Sequence, residues 1–337
     1  MKKASMIAIA AAATFMAGTA SAATLDDVKA KGFIQCGITT GLAGFAAPND
    51  KGVWEGFDVD FCRAMSAAIF GDANKLKYTP TTAKERFTAL QSGEIDVLAR
   101  NTTWTLSRDV NLGFEFVGVN YYDGQGFMVK KSLGVSSAKE LDGARVCLQS
   151  GTTTELNLAD YFAAQGMKFD SVLFDTADEV REAYLKDTCD VYTTDQSGLY
   201  AQRSVVPDPD NHVVLPEVIS KEPLGPLVRH GDNAWGDIAR WTLNALIIAE
   251  ELGVTSANVD EMKGSKNPEI QRLLGESGDL GEQLGLDAAW AYNAIKMVGN
   301  YGEIFETHLG QETPLKISRG LNQLWSKGGI LYAPPAR

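Results

Sequence analysis

The sequence predicts an α/β protein of two lobes, each a mostly parallel sheet flanked by helices, with a helical extension at the C-terminus. Three observations carry that expectation. Residues 33–99 read as β-α-β-α-β, residues 142–193 read as the same order again, and two extended stretches near residues 121–131 and 224–229 lie where the chain would pass between the two units and back. Strands alternating with helices call for parallel sheets covered on both faces.

In the first unit, Phe33 to Ile38 is a short apolar strand. Phe57, Phe61, Met65 and Ile69 recur at helical spacing, and Gly71 ends the run. Leu76 to Thr79 alternates like a strand, Lys84 to Ser92 reads as a helix stopped by Gly93, and Ile95 to Ala99 is a strand running into Asn101-Thr102-Thr103. In the second unit, Ala144 to Leu148 is a strand and Gly151-Thr152-Thr153-Thr154 opens a helix reaching about Ala164. A strand at Ser171–Phe174, a helix at Ala177–Lys186 and a strand at Asp190–Thr193 complete it. Beyond Ala234 helices are expected at 235–252, 287–298 and 314–325, packed on the first lobe. The expected division is residues 23–126 with 233–337 in lobe 1 and 127–232 in lobe 2, so that two crossings make a hinge and a cleft.

Residues 1–22 stand apart. Lys2 and Lys3 precede an apolar run from Met6 to Ala17, and Ala20-Ser21-Ala22 offers the small-x-small pattern of a signal peptidase site. This is a bacterial-type secretory leader removed near Ala22/Ala23, too short to anchor the chain in a bilayer. The mature protein is expected to be exported and soluble.

Composition narrows the function classes. Hydrophobic residues make up 45% and charged residues 22%, as in a globular chain. The formal net charge of −12 offers no basic footprint for nucleic acid. Cys36, Cys62, Cys147 and Cys189 are too far apart for a zinc knuckle and, after export, suggest disulfides. Three pairings are possible; the two-lobe reading favours Cys36–Cys62 and Cys147–Cys189, because each then stays inside one lobe. His212, His230 and His308 have no metal-ligand spacing, so neither a histidine metal site nor a His-based triad is expected.

Open α/β sheets bind ligands beyond the carboxyl ends of their strands. Those ends carry Asn101, Thr102 and Thr103, with Arg108 one turn on, in the first unit, and Gly151-Thr152-Thr153 and Thr194-Asp195 in the second. Arg108 can fork two donors onto a carboxylate. The Gly151 turn opens a helix, whose free N–H groups favour an anion. Asp195 supplies a charge for an ammonium. The set matches the two ends of an α-amino acid. Asp58 and Asp60, paired in sequence, read as helix capping and first-turn dipole residues rather than a catalytic pair. Trp54 and Phe45 are candidates to line the pocket, with core or rim packing an equal alternative.

The ordered landmarks Gly56-Phe57-Asp58-Val59-Asp60, Asp96-Val97-Leu98 to Thr105-Leu106-Ser107-Arg108, Gly151-Thr152-Thr153 and Asp190-Val191-Tyr192 to Asp195 resemble those of the polar amino acid family of extracytoplasmic solute-binding proteins that serve ABC transporters. The tail, with Val298 to Phe305 and Tyr332-Ala333-Pro334-Pro335, is similar to the longer, general L-amino-acid-binding branch. The resemblance implies the type II periplasmic binding protein fold, a periplasmic location, an L-amino acid ligand over a broad range that includes polar, acidic and amide side chains, and inner-membrane permease subunits as partners of a monomer. It implies no cofactor, no metal and no nucleic acid. By position it gives the ligand carboxylate to Arg108, Thr103 and Thr153, and the ammonium to Asp195 and the Asn101 carbonyl. Where many members carry an acidic and an aromatic pocket residue, this chain has Ile38-Thr39-Thr40-Gly41-Leu42-Ala43-Gly44-Phe45, which argues against a strict preference for cationic side chains and leaves Thr39 and Phe45 facing the side chain. The alternative is a cyclohexadienyl dehydratase-like enzyme on the same fold, but no nucleophile–base pair is evident, so the chain is read as a binding protein and not an enzyme.

Overall fold

The structure is a computed structural model and describes residues 24–337. The leader and its expected cleavage point lie outside the described residues. Helix α1 (Thr24–Lys31) leads into β1 (Ile34–Thr39). A small hairpin of β2 (Ala47–Pro48) and β3 (Trp54–Glu55) precedes α2 (Phe57–Phe70), β4 (Leu76–Thr81), α3 (Glu85–Ser92), β5 (Val97–Leu98), β6 (Phe114–Phe116) and β7 (Tyr121–Asp123). The second unit runs β8 (Gln125–Lys130), β9 (Ala144–Gln149), α4 (Thr154–Gln165), β10 (Phe169–Phe174), α5 (Ala177–Leu185), β11 (Val191–Asp195), α6 (Gln196–Ser204) and β12 (His212–Val214). The chain returns through β13 (Glu222–Leu224) and β14 (Leu227–Arg229) to α7 (Asn233–Glu251), α8 (Val259–Met262), α9 (Pro268–Leu273), α10 (Leu280–Gln283), α11 (Trp290–Val298) and α12 (Tyr301–His308).

Two five-stranded sheets follow the same plan. The first has order β4-β1-β5-β14-β6 and the second β10-β9-β11-β8-β12. In each the first three strands are parallel and the fourth runs antiparallel to both neighbours. That fourth strand is the one that follows a passage between lobes. Strand β1 lays Ile34, Cys36 and Ile38 against Phe57, Phe61 and Met65 of α2, and the apolar stripe of α7 joins the same core through Ile238, Leu243, Leu246 and Ile247. In the second sheet the alternation of a strand divides its residues between two faces. Phe127 and Val146 enter a core with Leu158 and Phe162, while Met128 and Cys147 enter another with Val180 and Tyr184. Disulfides join Cys36 of β1 to Cys62 of α2 and Cys147 of β9 to Cys189 in the loop before β11, so each ties a strand to a nearby segment of its own lobe.

The passages between sheets form their own two-stranded ribbon, with Asp123 opposite Glu222 and Tyr121 opposite Leu224. The sequence placed them a few residues later. The stretch 224–229 is not one strand: Gly225-Pro226 interrupts it, and β14 joins the first sheet. Phe127-Met128-Val129, expected as a link, is part of a central strand of the second sheet. At Gly225 the backbone comes so close to its neighbour that a Cβ would lie 2.0 Å from the Gly118 carbonyl oxygen.

The extension packs on the first lobe, where Phe305, Leu309, Leu315 and Leu331 share its core. It also reaches the ribbon. Asn322 accepts from the Tyr122 N–H at 2.6 Å and donates to its carbonyl at 3.1 Å, and the Tyr301 hydroxyl donates to the Asn120 carbonyl at 2.8 Å. The expected helix at 314–325 is absent. Pro314 opens the stretch, Lys316 and Gly320 take φ of 52° and 49°, and only 3-10 turns form at Gly320–Asn322 and Trp325–Lys327.

Asp58 and Asp60 do not cap α2. Gly56 holds the cap position without a side-chain bond, and both carboxylates are buried. Asp60 meets His308 at 2.7 Å and Arg63 at 2.8 Å. Asp58 accepts the Asn101 N–H at 2.9 Å, which fixes the chain where it leaves β5 with Asn101 at φ 33°.

Two outcomes are expected. Gly225→Ala should lower stability by about 2 kcal/mol or more, because the neighbour it meets is backbone and cannot rotate away. Chemical denaturation should show a lower midpoint with an unchanged slope. Burial pushes the Asp58 carboxyl up to about 6, against the hydrogen bonds from Asn101 and Asn120 and the Arg100 charge. The folded protein therefore keeps a proton there that the unfolded chain releases near pH 4, and this contribution to stability is full below about pH 4 and lost as pH rises through about 6. The stability of the native protein relative to Asp58→Asn should fall by about 3 kcal/mol from pH 4 to pH 7 in urea titrations.

Candidate functional site

Residues that follow the parallel strands of both sheets meet. Lys84 and Arg86 come from the segment and helix after β4, Asn101 to Arg108 from beyond β5, Gly151 to Thr153 from beyond β9, and Asp195 ends β11. The approach is close at Gly151, whose φ is 75° and whose added Cβ would lie 2.9 Å from Lys84 Cγ. Arg86 Nη2 donates to the Gly151 carbonyl at 3.5 Å, and Lys84 pairs with Asp175 at 2.6 Å across the rim.

Buried charges of both signs converge here. Arg108 sits on a single π-helical turn, Ser107–Asn111, a form that recurs at functional sites. It is 7% exposed, lies over the Phe87 ring at 5.2 Å and donates from Nη1 to the Thr103 carbonyl at 2.9 Å. That leaves its other donors uncommitted. Burial lowers its pKa, and the charges of Glu222 and Asp195 oppose that shift. Arg86, 2% exposed, donates to the Thr102 hydroxyl at 3.2 Å. On the acidic side, burial raises Asp195 well above the usual carboxylate range; Asp123 and Glu222 push it further, while Arg108 and Arg86 pull it back. Asp123, at the end of β7, is also pushed up by burial, although the Gly124 and Ser197 N–H groups donate to it.

The centre of the cluster is a residue the sequence did not single out. Glu222 is 1% exposed. Its Oε2 accepts from the Thr103 hydroxyl at 2.5 Å and the Thr153 hydroxyl at 2.9 Å, and its Oε1 accepts from Asn157 Nδ2 at 2.6 Å and the Ser220 hydroxyl at 2.7 Å. One carboxylate thus joins the first sheet, the second sheet and the ribbon. Three buried polar atoms on residues at these strand ends have no partner: the donor Arg86 Nε and the acceptors Asn101 Oδ1 and Gln125 Oε1. Gln125 is held by its amide to the Thr154 carbonyl and the Thr193 hydroxyl, at the opening of α4. Buried groups of this kind carry a desolvation cost until a ligand or water meets them.

Of the expected residues, Arg108, Thr103, Asn101, Thr153 and Asp195 are brought together. Thr39 ends β1 beside Thr81, buried at the same edge of the first sheet. Phe45 and Trp54 are not joined to the cluster by any hydrogen bond or ring contact. The Phe45 ring is sealed in the core, 5.6 Å from Tyr121 and 6.2 Å from Phe57, because the turn at Gly44 folds it inward. Trp54 lies on the small hairpin, half-buried against Tyr78 at 6.4 Å. Asp123, Glu222, Arg86 and Asn157 were missed. Lys221-Glu222 reads as an ordinary solvated pair, and only the pairing of two distant crossings reveals its place. Arg86 carried a faint signal, as a charge that shares a helix face with the apolar Ala89 and Leu90.

Residues 34–258 match the family model for bacterial extracellular solute-binding proteins, family 3. The chain is 65% identical to the general L-amino acid-binding periplasmic protein of Rhizobium johnstonii over 95% of both chains, and 56% identical over the whole of both chains to the glutamate/glutamine/aspartate/asparagine-binding protein of Rhodobacter capsulatus. Among solved structures it is similar to a periplasmic binding protein of an ABC transporter from Brucella ovis with glutathione bound, at 60% identity and a TM-score of 0.92 over 94% of this chain and 100% of that one. No helix among the described residues is long and apolar enough to cross a membrane. A two-sheet architecture, a charged cleft at the strand ends and a family match over most of the chain agree: the protein belongs to family 3 of the bacterial extracellular solute-binding proteins.

Proposed function

We propose that the cleft captures one L-α-amino acid in the periplasm and that the protein, acting as a monomer, hands it to the permease subunits of an ABC transporter. The observation that carries this reading is the burial of Arg108 and Asp195 on facing sheets around one space. Uncommitted Arg108 donors and the free N–H groups opening α4 fit a carboxylate. Asp195 is raised by burial and by the neighbouring Asp123 and Glu222 carboxyls, and an ammonium would ease both effects. Both ends of a zwitterion are thereby met.

The relatives support the ligand class. Their names specify general L-amino acids in one case and acidic amino acids and their amides in another. Glutathione, bound in the Brucella ovis protein, carries the same α-amino-acid head on its glutamyl end. What these have in common is the head and not the side chain, so a broad range is proposed. Export is supported by the leader pattern and by the periplasmic name of the Rhizobium johnstonii relative.

Calorimetry of the mature protein against the twenty L-amino acids should show at least one ligand of micromolar affinity or better, about −8 kcal/mol. D-isomers should bind far more weakly. Arg108→Ala should weaken all binders by a similar factor, about 2–5 kcal/mol, because every one shares the carboxylate. Wild-type affinity retained in Arg108→Ala for several ligands would overturn the assignment.

A further inference from the structure

We propose that Arg100 is a specificity-determining residue: its guanidinium lies over the strand ends of the first sheet and receives an acceptor at the far end of the ligand's side chain, a carboxylate in preference to an amide carbonyl. The inference rests on the amino-acid reading above and grades the ligands within that broad range.

The strand register places this arginine. Thr39 of β1 pairs with Thr81 of β4, and Gly37 of β1 pairs with Leu98 of β5. Continued for two residues, the second register sets Arg100 in one row with Thr39 and Thr81. The order β4-β1-β5 leaves Arg100 and Thr81 on opposite sides of β1. Arg100 Nε nevertheless donates to the Thr81 carbonyl at 3.0 Å. Neighbouring strands lie about 4.8 Å apart, so the side chain spans a gap of about 10 Å and crosses the end of β1 at Thr39. The guanidinium is thereby laid over the carboxyl edge of three parallel strands, the edge at which open α/β sheets bind ligands.

Its charge is unanswered there. A guanidinium has five donors, and Nε is the one that Arg100 uses. The two Nη groups meet no acceptor among the described residues, and unlike Arg86 Nε they are not sealed off, so they open onto free space. Arg86, Arg100 and Arg108 are all buried. Their hydrogen bonds go to the Thr102 hydroxyl and to the Gly151, Thr81 and Thr103 carbonyls, never to a carboxylate. Burial brings Arg100 down to about 10; Asp58 opposes that shift and the like charge of Arg108 adds to it. Asp58 is already occupied by the Asn101 N–H and the Asn120 amide. An α-carboxylate on Arg108 answers one of the three cations. A second carboxylate on the same ligand can take both Nη groups of Arg100 with charge assistance, whereas an amide carbonyl accepts without charge. An apolar side chain would cut these donors off from water and leave them unpaired, which is costly.

The experiment is calorimetric titration of wild type and Arg100→Gln with L-glutamate, L-glutamine and L-norvaline, which has the carbon chain of glutamate without its side-chain oxygens. The glutamine side chain in the variant can still donate to the Thr81 carbonyl. Wild type that binds none of the three sinks the amino-acid reading itself. Given wild-type binding, the expected order is glutamate, then glutamine, then norvaline, and the ratio of glutamate to norvaline affinity should fall by roughly tenfold or more in Arg100→Gln. A purely structural role would weaken all three alike, so an unchanged ratio overturns the proposal. Wild type that binds norvaline as tightly as glutamate overturns it without any variant. Should Arg100→Gln fail to fold, Arg100→Met decides by the same ratio: a fall supports the proposal, and an unchanged ratio overturns it.

Discussion

Ionised groups are not buried singly, and the space between the two sheets is organised by that constraint. Glu222 is acceptable at its depth only because four donors reach it, and those donors come from beyond β5, from the opening of α4 and from the approach to β13. Arg108 is acceptable because a carbonyl, an aromatic face and two acidic neighbours surround it. Neither environment exists within one sheet. The residues that make a binding site possible also require the sheets to face each other, so recognition and architecture draw on the same few contacts.

The shared plan of the two sheets explains why these groups converge. Each begins with three parallel strands, so each puts its loop residues and helix starts at one edge. Each then takes as fourth strand the segment that has just arrived from the other lobe. The strands β8 and β14 are antiparallel for that reason, and the ribbon of β7 and β13 is left between the sheets. The disulfides follow the same division, since each bond holds a strand against a helix or loop of its own lobe and leaves the ribbon alone.

Much of this was legible in the sequence because it is local. Gly71 and Gly93 close their helices with left-handed caps, as their position after apolar periodic runs indicates. Arg108, Thr153 and Asp195 follow strand ends, and a ligand site at strand ends needs no long-range information. The missed features depend on pairing between distant segments. Glu222 and Asp123 gain their role from a strand register that joins two crossings. Asp58 is the first-turn acid the sequence indicates, but it accepts from the Asn101 peptide N–H rather than capping its own helix. For Phe45 the sequence left pocket lining and core packing equally open, and the ring packs in the core against Phe57 and Tyr121. The stretch from Pro314 to Trp325 had helical apolar spacing, but its positive-φ positions and its contacts with the ribbon settle it as an irregular strap.

That strap has a mechanical consequence. Asn322 binds the N–H and carbonyl of Tyr122 as a neighbouring strand would, so one side chain supplies the third row of a two-stranded ribbon. The ribbon is no longer a free flexure between two bodies. Its first-lobe end is clamped to a core that includes most of the extension, while its other end carries only the second lobe. The ribbon therefore has two unlike ends: one is fastened through Asn322 to the first-lobe core, and the other passes through Asp123 and Gly124 straight into β8. The length of chain beyond α7 thus makes the ribbon a fixture of the first lobe.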